Sequence, residues 1–107
     1  MASRPAPVVL FVYRRPRHTR EALESLARNT LAPQSELFIY ADGPKSADDR
    51  ERREVDDVRR LLRERPWCGS VTIVDAPVNR GLAASITGGV TDIVQRYGRA
   101  IVLEDDL

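Results

Sequence analysis

Four short apolar runs rich in β-branched residues punctuate the chain: Val8 to Tyr13, Glu36 to Ala41, Ser70 to Asp75 and Arg99 to Glu104. Each is four to eight residues long and nearly continuous in apolar character, the pattern of strands covered on both faces. Between them the apolar positions recur with helical spacing. Ala22, Leu23, Leu26 and Ala27 form one stripe. Thr19 is the expected N-cap, Glu21 lies in the first turn and Pro33 stands past the end. Ser46-Ala47-Asp48-Asp49 reads as a capping-box-like start at Ser46 for a second helix. That helix carries Val55, Val58, Leu61 and Leu62 and is stopped by Pro66. Its other positions are charged, and Asp48–Arg52, Asp49–Arg53 and Asp56–Arg60 read as weak surface ion pairs at four-residue spacing. A third helix is expected from Leu82 to Tyr97, with Leu82, Ile86, Val90, Ile93, Val94 and Tyr97 on one face and Gly98 as its stop.

The order β-α-β-α-β-α-β implies crossover connections and a parallel sheet. The expected architecture is a Rossmann-like, three-layer α/β/α fold over residues 1–107, with strand order 3-2-1-4 and a switch point between the first and fourth strands. In such a sheet function sits outside the carboxyl ends of the strands. The residues at those ends are polar: Arg14, Arg15 and Arg17; Asp42 and Gly43; Asp75, Asn79, Arg80 and Gly81; and Glu104, Asp105 and Asp106.

Composition narrows the classes. With 42% hydrophobic and 31% charged residues the chain reads as a globular domain. A formal net charge of +1 gives no global attraction to nucleic acid or to an acidic membrane. The longest apolar run, Val8 to Tyr13, is too short to span a bilayer, and the Pro-containing leader lacks the layout of a signal peptide. Cys68 is the only cysteine, so no intrachain disulfide can form. A reducing, cytoplasmic setting is the expectation. Lys45 is the only lysine among 17 Lys and Arg residues.

Three successive carboxylates at a strand end repel one another unless solvated or neutralised. A hard cation, Mg²⁺ or Mn²⁺, suits them, leaving positions free for a diphosphate. Arg14 and Arg15 could supply further positive charge opposite the phosphates. The same triplet also reads as an exposed strand end. Asp42 could accept from a nucleoside N–H or a ribose hydroxyl, or serve as a turn-former in Asp42-Gly43-Pro44. Asn79-Arg80-Gly81, before the third helix, could offer backbone N–H groups to an anion or form a plain loop. There is no GxGxxG and no P-loop. His18 reads as a surface or capping residue, Cys68 as structural, and Trp67 and Tyr97 as packing residues. Gly88-Gly89 inside the third helix suggests close packing or approach to a ligand.

Phe11 to Thr19 followed by a Leu-rich helix resembles the opening of bacterial GT-A fold glycosyltransferases of the family 2-like kind. Asn79-Arg80-Gly81-Leu82-Ala83-Ala84-Ser85-Ile86, then Gly88, is similar to their loop and helix before the metal motif. Ile101 to Leu107 resembles the Glu-Asp-Asp form of the DXD motif, as in the N-acetylglucosaminyltransferase I group. The resemblance implies a metal-dependent transferase whose donor is a nucleotide sugar, UDP-linked by family habit, with Mn²⁺ or Mg²⁺ as cofactor. It implies that Asp42 contacts the uracil or ribose and that Arg15 lies near the base or diphosphate. Asp106 would be the principal metal ligand, with Glu104 and Asp105 on ribose, sugar or metal-bound water. Relatives often carry Asn where Arg14 stands. A full GT-A domain is roughly twice this length, so the acceptor-binding half and the general base are expected beyond Leu107, with these residues inactive alone. The glycan, lipid or protein acceptor is left open. Self-association through the unfinished sheet edge is a further expectation. Competing readings are a nucleotidyltransferase-like domain and a non-catalytic α/β binding or assembly module.

Overall fold

A computed structural model describes residues 5–105. The elements run β1 (Val8–Val12), α1 (Pro16–Ala27), a 3₁₀ turn (Ala32–Gln34), β2 (Glu36–Ala41), α2 (Asp49–Leu62), β3 (Ser70–Asp75), α3 (Leu82–Tyr97) and β4 (Ile101–Glu104). All pairings are parallel, in the order β3-β2-β1-β4. This is the Rossmann-like α/β/α arrangement, and its strand order is the one expected from the sequence.

Because side chains alternate across a strand, β1 feeds two cores. Val8, Leu10 and Val12 pack with Leu37 and Ile39 of β2, Leu23 of α1 and Val58, Leu61 and Leu62 of α2. Val9 and Phe11 pack on the opposite face with Phe38 and Ile93 of α3. Every residue of β1 is buried, as a central strand covered on both faces requires. The edge strands depart from that expectation. Two helices cover one face but α3 alone covers the other, so Val74 of β3 and Val102 of β4 stay substantially exposed on the α3 face, while Ile101, beside Val8 on the two-helix face, is exposed at the sheet edge. Leu82, Val94 and Tyr97 of α3 are exposed for the same reason, leaving Gly89 and Ile93 as its buried positions.

Two helix starts differ from the expectation. α1 begins at Pro16, with Arg15 as its N-cap residue. A proline suits the first turn because its fixed φ is already helical and the N–H it lacks would have no partner there. Thr19 is therefore inside the helix and fully buried. α2 is capped by Asp48, whose side chain accepts the N–H of Arg50 at 3.3 Å. Ser46 instead lies in the preceding loop. α3 keeps its expected bounds and ends on Gly98 with φ 82°, the left-handed conformation that glycine adopts without strain.

The expected four-residue ion pairs on α2 give way, among the described residues, to a three-residue pair within the helix and to tertiary ones. Arg60 meets Asp57, while Arg59 and Arg63 both reach Asp75 on β3. Glu54 meets Arg14, and Glu64, just past the helix, meets Arg20 of α1. Among the described residues no helix is long and apolar enough to cross a membrane.

Candidate functional site

The chain reverses its direction across the sheet at β1. The connection leaving β1 runs over one face through α1, whereas α3 leads into β4 over the other. At this switch point the loops part and leave a crevice beyond the carboxyl ends of the strands. A cleft of about 350 Å³ occupies it. Its walls include Tyr13, Arg14 and Arg15 after β1, Asp42 and Lys45 after β2, Asn79 and Gly81 after β3, and Glu104 and Asp105 at the end of β4. Phe11 and Tyr40 contribute apolar surface, with ring centroids 5.5 Å apart in a stacked arrangement. Leu82 and Ser85 of the first turn of α3 complete the lining.

Most of the residues read as a site from the sequence thus converge. Arg80 does not line this cleft; it lies by a neighbouring groove with Tyr40, Asp75 and Asp92. Arg17 faces away on α1, paired with Glu21. His18 is exposed on the same helix. Asp106 lies outside the described residues.

Asp42 is buried, and its carboxylate is already engaged. Oδ1 accepts the N–H groups of Gly43 at 2.9 Å and Arg80 at 2.8 Å, and Oδ2 accepts that of Gly81 at 3.0 Å. Asn79 Nδ2 donates to the Gly43 carbonyl at 2.8 Å. The loop before α3 is therefore laced to the end of β2. Its Arg80 and Gly81 N–H groups, which could have served an anion, are spent on Asp42. Arg59 of α2 closes the same corner by donating to the carbonyl of Ala76 at 2.8 Å.

The cations divide into committed and uncommitted. Arg14 is committed to Glu54 through Nε and Nη2. Arg15 and Lys45 line the cleft, and among the described residues neither side chain has an ion-pair partner. On the acidic side, Asp105 Oδ2 accepts the hydroxyl of Thr19 at 3.2 Å, fixing the loop after β4 to the first turn of α1. Glu104 is half-buried beside Phe11 in the strand register. Among the described residues no group of three or more His, Cys, Asp or Glu side chains could hold a metal ion.

Two residues in this region escaped the sequence reading. Glu51, in the first turn of α2, is 2% exposed. It accepts from the Tyr13 hydroxyl, the backbone N–H of Lys45 (2.9 Å), and the Ser46 N–H (3.1 Å) and hydroxyl (2.8 Å). A glutamate three residues after a cap residue is the only sequence signal for it. Tyr40 has no such signal. Its phenol pKa is raised by burial and by the nearby charge of Asp92.

Outside the cleft, Cys68 is buried and its thiol is pushed up by burial alone, as an inert structural cysteine should be. Trp67 donates its indole N–H to the Leu62 carbonyl at 3.1 Å and packs in the core.

Compared with protein-family models, with curated proteins and with solved structures, the chain finds no match in any of the three.

Proposed function

We propose that this cleft binds a nucleotide-diphosphate sugar, with UDP as the nucleotide and Mg²⁺ or Mn²⁺ as cofactor, as the donor site of a family 2-like glycosyltransferase. The observation that carries the reading is the meeting of Arg15 and Lys45, cations without carboxylate partners among the described residues, with Glu104 and Asp105 in one crevice at the switch point. Such a crevice is where open α/β sheets take their ligands.

The donor set suits a hard divalent ion held by one or two carboxylates, with phosphate and water oxygens completing the shell. Glu104 and Asp105 are the described candidates, and Asp106 is the third by resemblance. Such an ion would neutralise charge developing on a departing diphosphate. Arg15 and Lys45 would add fixed positive charge opposite the phosphates. Tyr40, backed by the buried ring of Phe11, offers apolar surface to the sugar or the base. Asp42 serves differently from the expected direct contact. Its three backbone bonds favour bracing of the loop before α3, and the remaining lone pair on Oδ2 is what it could offer a nucleoside.

Calorimetric titration with UDP, with and without Mn²⁺, tests the reading. Metal-dependent binding that is lost in Asp106→Ala and weakened in Glu104→Ala is expected. A folded sample that binds no UDP at any Mn²⁺ concentration would point instead to a non-catalytic α/β module.

A further inference from the structure

Burying a carboxylate is costly unless its lone pairs are filled. Glu51 is filled entirely from outside its own helix. α2 does not require it as a cap, since Asp48 already accepts the N–H of Arg50. Its donors come from Tyr13, directly after β1, and from Lys45 and Ser46 in the loop after β2. Tyr13 and Lys45 both line the cleft. One buried group thus ties together two walls of the crevice, and one of those walls carries a lysine that has no carboxylate partner among the described residues.

We propose that Glu51 is a positioning residue for anion binding: it holds the Lys45 loop and Tyr13 at the cleft wall so that the Lys45 ammonium meets the ligand's phosphates. The inference rests on the diphosphate reading above and adds Lys45 and Glu51 to it. Lys45 touches the ligand, and Glu51 acts only through Lys45 and Tyr13. A glutamine at position 51 cannot replace the carboxylate, because its NH₂ donates toward groups that are themselves donors.

The test is a set of paired substitutions, with affinity read by calorimetry for inorganic pyrophosphate and for UDP, each in Mg²⁺. Lys45→Ala is expected to weaken pyrophosphate binding about fivefold, the size of a partly exposed charge contact. Glu51→Gln should weaken it by a similar factor. In the double variant Glu51→Gln/Lys45→Ala the loss should stay within about twofold of Lys45→Ala alone, whereas Glu51→Gln and Arg15→Ala should add. General loosening of the fold would not single out Lys45 in this way. Tyr13→Phe, which removes one donor and keeps the ring, should show a smaller loss with the same coupling, and it decides the matter if Glu51→Gln does not fold. Unchanged affinity in a folded Glu51→Gln, or additivity with Lys45→Ala, overturns the proposal while leaving the donor reading intact. Coupled pyrophosphate binding with UDP binding no tighter than pyrophosphate upholds Glu51 and overturns the nucleotide reading. A folded parent that binds neither ligand overturns both.

Discussion

Oδ2 of Asp42 accepts the backbone N–H of Gly81 at 3.0 Å, joining the end of β2 to the residue on which α3 begins. Gly81 sits there at φ 82°, a backbone conformation that glycine reaches freely. The bond therefore sets where the third helix starts and how its first turn faces the cleft.

Asp42→Asn should separate this bracing from any contact with ligand. Its amide oxygen can still accept from Gly43 and Arg80, but its NH₂ then opposes the Gly81 N–H. A loss of about 2 kcal/mol in urea unfolding is expected, the cost of leaving a buried donor unsatisfied. An unchanged midpoint would mean that the loop holds itself.

Thr19→Val probes the link across the sheet from α1 to the loop after β4. The substitution keeps shape and removes the hydroxyl that Asp105 accepts at 3.2 Å. Destabilisation of about 1–2 kcal/mol is expected, together with weaker Mn²⁺-dependent UDP binding if Asp105 faces the metal. Chemical denaturation and calorimetry on the same sample read both.

Adjacent glycines in α3 should respond oppositely to alanine. A Cβ at Gly88 meets nothing within 4 Å, so Gly88→Ala should gain about 0.5–1 kcal/mol from helix propensity. At Gly89 the new Cβ would lie 3.1 Å from the rings of Phe11 and Tyr40, which are packed on each other. Gly89→Ala should therefore show no gain, or a net loss, in thermal unfolding. A rise in Tm for both would show that the rings give way.

Alkaline stability should follow the two groups whose pKa values are raised by burial, Cys68 and Tyr40. A group with a folded pKa above its unfolded value contributes stability that is fully present below the unfolded pKa. That contribution is lost as pH rises through the folded one. Stability should fall from about pH 8.5 upward, the ordinary range of a thiol, and further above about pH 10, that of a phenol. Cys68→Ala should remove the first step. At pH 8 the native Cys68 should react with a thiol reagent only as fast as the protein opens. Rapid labelling of a folded sample would contradict its burial.

The strands and the third helix were legible in the sequence because they depend on local information, and the sheet order followed from the alternating β-α crossover pattern. A run such as Val8 to Val12 has no polar residue to leave on a wet face and is buried throughout as central β1, though the equally apolar Ile101 to Leu103 forms an edge. Gly98 stops α3 by its own conformational freedom. The crevice followed from topology, since a 3-2-1-4 parallel sheet opens at β1 whatever its side chains are, and the polar residues at the strand ends fell into it. The helix starts were less legible. Thr19 and Ser46 are good cap residues by type, but Pro16 and Asp48 were better placed once the chain was packed.

Only the tertiary structure decided how the charges are used. Arg14 and Arg15 are neighbours with the same side chain, yet Arg14 is spent on Glu54 forty residues away and Arg15 is not. Asp42 had the chemistry to bind a nucleoside, and three backbone N–H groups take up most of its acceptor capacity, leaving one lone pair on Oδ2. Glu51 looked like one more charge on a solvated helix until α2 docked and carried it under Tyr13 and the Lys45 loop. Hydrophobic periodicity sets which face of an element is buried. It carries no information about which polar group on a second element, some forty residues on, arrives within 3 Å, because that distance depends on how the elements pack.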